Sequence, residues 1–198
     1  MCYDKIYTEY QIKKRGFLRK IARAFYLSAA NKLLNGPTID IGCGPGELLK
    51  WLPAGSIGLE INPTTVEYCK KNNLNVKLYK PDEDNYTLAE FQVGQYQSML
   101  ISHVLEHLEK PYEVIQSLLK AANRLGLEKI VIILPCKRGF DSDQTHITFI
   151  DKNFFYQNNL ITKNKFIISR MKYFPVNLKW IGYLYPYHEL HVVYEKRN

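Results

Sequence analysis

Two histidines and a glutamate stand close together in "SHVLEHLEKP", residues 102–111. His103, Glu106 and His107 follow the pattern H-x-x-E-H, one of the zinc-peptidase signatures. On a helix, that spacing puts the three side chains on one face. Imidazole takes up a proton near neutral pH, and imidazole with carboxylate also suits a borderline divalent metal. His146, in "QTHITF", is a fourth residue of this kind. A peptidase helix must be long enough to hold its ligands rigidly, and it needs a further ligand elsewhere. "HVLEHL" instead follows an apolar run directly, and Pro111 breaks the pattern soon after. This placement argues against a peptidase. Three roles stay open for the cluster, ranked in this order: structural or substrate-facing, general base, metal ligand. No metal is assigned.

A second constellation lies in "TIDIGCGPGELL", residues 38–49. Gly42, Gly44 and Gly46 follow a short apolar run and let the backbone approach a ligand closely. A dinucleotide fingerprint would read G-x-G-x-x-G, and its third glycine would fall on Glu47, which argues against NAD. There is no Walker lysine. Asp40 sits inside the apolar run, where an unpaired carboxylate is costly. A ligand ammonium or a loop amide would supply its partner. Glu60 ends the next apolar run, where a carboxylate can accept both hydroxyls of a ribose. Asp82 follows a third run and is placed to accept from an adenine amine. Acids at three successive strand ends, in order, form a set.

The elements that position these residues alternate. "PTIDIG", "SIGLE", "NVKLYK", "YQSMLIS" and "KIVIILP" read as strands, the last ended by Pro135. Between them "ELLKWL", "PTTVEYCKKNN", "YTLAEF" and "HVLEHL" with "PYEVIQSLLKAANRL" read as helices, with Pro63 in a first turn. "IDKNFFYQNN" is a further helix, and "KFIISRMKY" and "LHVVYEK" are strands that pair as an antiparallel hairpin. Residues 4–34 read as two helices split near Gly16. The alternation predicts a Rossmann-like α/β fold: a seven-stranded, mostly parallel sheet with helices on both faces. In such sheets a ligand sits beyond the carboxyl ends of the strands, where strand order reverses.

With 198 residues the chain has room for one domain, and its 46% hydrophobic and 23% charged content is ordinarily globular. No run is long and apolar enough to cross a membrane, and the N-terminus lacks a signal-peptide core, so a cytoplasmic protein is expected. Cys2, Cys43, Cys69 and Cys136 are scattered, which argues against a disulfide framework or a cysteine zinc site. The net charge of +8 gathers early, in "KKRGFLRKIAR", and at the C-terminus. A basic face attracts nucleic acid, anionic lipid or phosphorylated metabolites, but a solvated face on a lysine-rich protein is the favoured reading.

These motifs resemble the class I S-adenosylmethionine-dependent methyltransferases over about residues 37–160. "IDIGCGPGELL" is similar to the family's first motif, "GLEINPTTVEYCKK" to the second, and "LYKPDEDN" to the adenine-contacting loop. "YQSMLISHVLEHLEKPYEVI" is similar to the fourth strand and its turn, with Gln97 where many members carry aspartate. "QTHITFIDKNFF" resembles a motif of a branch that includes sugar and small-molecule O-methylating enzymes. The resemblance implies S-adenosyl-L-methionine as cofactor and S-adenosyl-L-homocysteine as product. The cofactor contacts it implies are Asp40, Gly42, Cys43, Gly44, Gly46, Glu60, Ile61, Asp82, Glu83 and Ser102. Some methyltransferases, among them small-RNA 3′-end and ubiquinone-pathway enzymes, resemble the His103–His107 stretch with E-x-x-E-H, where the cluster holds a divalent ion. Here His103 replaces the first glutamate.

The implied chemistry is methyl transfer to a small-molecule acceptor, at a hydroxyl of a sugar or secondary metabolite. An RNA acceptor and a non-catalytic binding module are the alternatives. His103 is the first candidate base and His146 the second, with His107 and Glu106 completing the catalytic set. A single methyltransferase domain over 1–198 is expected. It comprises a helical cap over 1–35, a cofactor core over 36–160 and C-terminal strands over 161–198, with a substrate-side insertion at 174–188. Tyr3, Tyr7 and Tyr10 have two readings of equal standing: they close over the cofactor from the N-terminal helix, or they serve ordinary packing. The oligomeric state is not legible.

Overall fold

The computed structural model describes residues 25–197. Helix α1 covers 25–31. The earlier helical stretch and the three cap tyrosines lie outside the described residues. Strand β1 is Thr38–Ile41, β2 Ile57–Glu60, β3 Val76–Leu78, β4 Ser98–Ser102 and β5 Lys129–Pro135. Helices α2 (Pro63–Lys71), α3 (Pro81–Asp84) and α4 (Pro111–Leu125) are interleaved with them. After β5 come α5 (Lys137–Asp141), α6 (Lys152–Gln157), β6 (Thr162–Lys163), β7 (Phe166–Phe174) and β8 (Glu189–Lys196). No helix among the described residues is long and apolar enough to cross a membrane.

The eight strands form one sheet in the order β3-β2-β1-β4-β5-β8-β7-β6. β1 to β5 run parallel. β8 inserts between β5 and β7, antiparallel to both. The expected hairpin is therefore present, and the expected seven strands become eight because two residues of β6 pair with β7. Such a two-residue strand carries no readable period. Strand order reverses between β1 and β4, so a crevice opens beyond their carboxyl ends.

The central strands are buried on both faces, and alternate residues serve opposite layers. Met99, Ile101, Ile130 and Ile132 join the main core with Ile39, Ile41 and the apolar side of α4. Leu100, Val131 and Ile133 face the other way, toward Ala30 of α1 and Leu48. Each such side chain contributes roughly 1.5–3 kcal/mol by leaving water. α4 buries Ile115, Leu118, Leu119, Ala122 and Leu125, a helical stripe, and ends at Gly126 in the left-handed conformation.

Three expected helices come out differently. "ELLKWL" forms only a single 3-10 turn, Leu49–Trp51, and "HVLEHL" only Leu105–His107. "YTLAEF" is turn structure, and the helix precedes it at α3. There Asp84 accepts from Tyr79 Oη, Thr87 Oγ1 and the Leu88 amide, which stops the helix and shapes the following turn. Short apolar runs do not distinguish these outcomes, because loop closure decides them.

Candidate functional site

The loop after β1 is braced by β2. The amides of Gly42 and Cys43 both donate to Leu59 O, at 2.8 and 3.1 Å. Gly42, Gly44 and Gly46 all have positive φ, at 69°, 53° and 71°. A side chain at Gly42 would place its Cβ 2.5 Å from Val104 Cγ2, and one at Gly46 would meet Leu74 Cδ1 at 2.5 Å. Backbone conformation and space thus both require glycine.

Glu60 holds this loop from below. Gly44 N donates to its Oε2 at 2.9 Å, and Asn62 N to its Oε1 at 2.8 Å. Burial raises the Glu60 pKa, and the amide bonds from Asn62 and Gly44 only partly offset this. Asn62 in turn caps α2 by accepting from Thr64 N. Sequence reasoning reserved Glu60 for a ligand; the structure shows that it also organises the loop. Each oxygen keeps acceptor capacity for one more donor.

Asp40 lies between Gly58 and Leu100 in the ladder and is 3% exposed. Its side chain forms no hydrogen bond among the described residues, and the loop amides proposed as its partners go to Leu59 and Glu60 instead. Burial, with the Glu60 carboxyl beside it, pushes the Asp40 pKa up to about 8. Cys43 is half-buried, Ile61 is 37% exposed, and Ser102 ends β4 at the same rim. Asp82 and Glu83 are exposed in the first turn of α3, and Glu83 accepts from Lys80 Nζ at 2.8 Å.

Beyond β4 the chain turns sharply. His103 adopts φ 54°, and its amide continues the ladder by donating to Ile133 O. Its Nδ1 lies 3.2 Å from Glu106 Oε1 and its Nε2 3.0 Å from Glu189 Oε1. Glu189 Oε2 also accepts from His191 Nε2 at 2.8 Å. Enclosure works against a charged imidazole. The hydrogen bonds to Glu106 and Glu189 outweigh it and push the His103 pKa up to about 10, although the side chain is 42% exposed. Burial likewise works against the Glu189 carboxylate, but the bonds from His103 and His191 hold its pKa down to about 2. Both ring nitrogens of His103 thus face carboxylate oxygens, Glu106 Oε1 on one side and Glu189 Oε1 on the other.

The other expected residues do converge. Ile147 N and Thr148 N donate to Glu106 O, which ties the 145–148 loop to the turn after β4. That tie places the His107 and His146 rings 4.8 Å apart, centroid to centroid. Phe140 stacks on His146 at 5.3 Å. Glu189 and His191 went unseen in the sequence, since β8 reaches His103 only through its pairing with β5.

Residues 24–135, more than half of the chain, match the family described as "Methionine biosynthesis protein MetW". The chain belongs to the MetW family. No curated protein matches it in sequence. Solved structures show its fold to be that of the S-adenosylmethionine-dependent methyltransferases. It is similar to one from Archaeoglobus fulgidus, with TM-score 0.68 and 19% identity over 98% of this chain and 100% of that one. A magnesium protoporphyrin IX methyltransferase from Synechocystis PCC 6803, crystallised with S-adenosylhomocysteine, matches with TM-score 0.60 and 15% identity, covering 96% and 94%. A small-RNA methyltransferase matches with TM-score 0.59 and 16% identity, covering 91% of this chain and 25% of that one. In this MetW-family chain the glycine loop, Glu60 and the turn after β4 all lie within the matched residues.

Proposed function

We propose that the protein binds S-adenosyl-L-methionine and transfers its methyl group to a hydroxyl oxygen of a small-molecule acceptor. The observation that carries this reading is the Asp40–Glu60 pair beneath the glycine loop. Glu60 fixes the loop and keeps acceptor capacity for ribose hydroxyls. Asp40 is a buried carboxyl that forms no hydrogen bond among the described residues, and a cationic ligand is its natural partner. In this reading Gly42, Cys43, Gly44 and Gly46 line the amino-acid portion of the cofactor. Ile61 packs against the adenine, Asp82 and Glu83 face its amine, and Ser102 closes the rim. Crystallised neighbours of the same fold that carry S-adenosylhomocysteine support the assignment.

The sulfonium makes the methyl group electrophilic by its own chemistry. The chain has to align the acceptor oxygen in line with the breaking bond and exclude water. His103 positions Glu106 and Glu189, and Glu106, His107 and His146 are the groups left to draw off or polarise the hydroxyl proton. A cavity of about 380 Å³ between α1 and β7 suits a small acceptor. Phe25 and Phe174 flank it, Lys32, Arg170 and Lys172 surround it, and His191 joins it to the His103 chain. One domain over 1–198 contains all of these parts, with 174–188 on the acceptor side.

Calorimetry with S-adenosylhomocysteine tests the reading, and one equivalent per chain is expected. No binding would refute the cofactor assignment. Binding without turnover on any acceptor would leave a cofactor-binding module. The cations around the cavity also suit an RNA acceptor; a steep loss of RNA binding with added salt would favour that reading.

A further inference from the structure

We infer, on the reading of the cavity between α1 and β7 as the acceptor pocket, that the acceptor carries a phosphate group held by Lys32, Arg170 and Lys172. The cavity measures about 380 Å³, within the range of small-molecule sites. On β7, Arg170, Lys172 and Phe174 pair with Val193, His191 and Glu189 of β8, so by alternation they share one face of the sheet. Val193 packs with Ala30 of α1, which makes this the face that α1 covers. From α1 and the turn after it, Phe25, Ala29 and Lys32 follow a helical stripe and form the opposite wall.

The charge inside the cavity is of one sign. None of the described residues that line it is acidic. Lys32, Arg170 and Lys172 are exposed, and no carboxylate among the described residues pairs with any of them. Lys129, Lys137 and Lys179, by contrast, are matched by Glu195, Asp141 and Asp151. Glu189, beside Phe174 in the ladder, is already bonded to His103 and His191. A neutral acceptor filling the cavity would strip water from three cations and return no charge, which is costly. A carboxylate returns one negative charge, whereas a phosphate returns up to two, with several acceptor oxygens. The Arg170 guanidinium can grip two of these oxygens at once, and the two lysines act on the others as point charges.

The rest of the acceptor meets an aromatic wall. Phe25 stacks on Phe174 at 5.2 Å, and Phe174 stacks on His191 at 5.0 Å. Phe25 is 58% exposed and offers a flat apolar group a surface to lie on. Phe174 stands at the Glu189 end of β7, the end next to His103. Lys172 and Arg170 lie two and four residues back along the strand, roughly 7 and 13 Å. The phosphate is therefore held away from the turn after β4, and the opposite end of the molecule reaches toward it. This suits a phosphate ester with a ring between its phosphate and its hydroxyl.

The full-length protein is titrated by calorimetry with phenyl phosphate, with sodium benzoate as the carboxylate arm and phenol as the neutral one. Saturable binding of phenyl phosphate is expected, weaker binding of benzoate and none of phenol. Arg170→Gln and Lys172→Gln should each lower phenyl phosphate affinity about 10-fold or more, the worth of one charged hydrogen bond. S-adenosylhomocysteine affinity, measured on the same proteins, should not move. Both side chains are exposed, so the substitutions leave the core alone, and circular dichroism checks the fold. Should either variant fail to fold, displacement of phenyl phosphate from the wild type by inorganic phosphate decides, and displacement is expected. No saturable phenyl phosphate binding, benzoate or phenol bound as tightly, or affinity indifferent to both substitutions would overturn the proposal; S-adenosylhomocysteine still bound in those cases would keep the cofactor reading. Phenyl phosphate bound by a protein that does not bind S-adenosylhomocysteine would overturn the cofactor reading, and with it the assignment of the phosphate to an acceptor. A short single-stranded RNA that displaces phenyl phosphate and loses affinity steeply with added salt would overturn the small-molecule class in favour of RNA.

Discussion

Asp40→Asn should stabilise the ligand-free protein, and by an amount that depends on pH. A carboxyl at about 8 in the folded chain and near 3.9 in the unfolded chain binds its proton more tightly when folded. Between those values the native state holds the proton and the unfolded state has lost it, so stability falls as pH rises and levels off above about 8. Each pH unit within the window costs about 1.4 kcal/mol, which sets a ceiling of about 4 kcal/mol at pH 7. Relaxation around the site makes half of that a fair expectation. Asparagine keeps the shape and has no charge to desolvate. For a chain of this size, about 2 kcal/mol corresponds to a rise of roughly 4–8 °C in Tm. Thermal melts of both proteins from pH 5 to pH 9 should show a gap that widens toward pH 8 and closes in acid. A gap that is flat with pH, or a variant less stable throughout, would refute the reasoning. In the reading of Asp40 as partner to a cationic cofactor, the same variant should bind S-adenosylmethionine roughly 10–100-fold more weakly, the worth of one charged hydrogen bond.

Glu60→Gln turns one acceptor toward an amide donor, so the glycine loop should loosen. Hydrogen exchange at the Gly44 amide should speed up, and S-adenosylhomocysteine affinity should fall at least as far in Glu60→Ala; unchanged exchange would remove Glu60 from the loop. Gly42→Ala meets both a positive φ and Val104, and should cost more than 1 kcal/mol in urea unfolding. Adding Val104→Ala should restore only part, because the backbone strain remains. For His103 the slope has the same sign as for Asp40: with the pKa raised to about 10 the folded chain holds the proton more tightly, so the stabilisation is fully present below about 6.5 and is lost as pH rises through 10. An NMR titration showing the His103 ring protonating near 6.5 would contradict its pairing with Glu106 and Glu189.

The sequence by itself determined the layered architecture, because period and burial are local properties. The continuous apolar runs of β4 and β5 announce a sheet covered on both faces, and Pro63 announces a helix start that the structure places at the first turn. The glycine loop was equally legible, since positive φ at three positions in five residues needs glycine whatever surrounds it. The division of labour among the histidines was not. H-x-x-E-H reads as one helical face, yet the segment closes as a single 3-10 turn, and this sends His103 toward Glu189 and His107 toward His146. Glu189 is 86 residues from His103 in the chain and reaches it only because β8 pairs antiparallel with β5. A histidine's proton affinity is set by the groups within hydrogen-bond reach, so only the tertiary structure could decide that the His103 ring is held charged. The same holds for Asp40, whose cost follows from burial and from the partners its neighbours have already claimed.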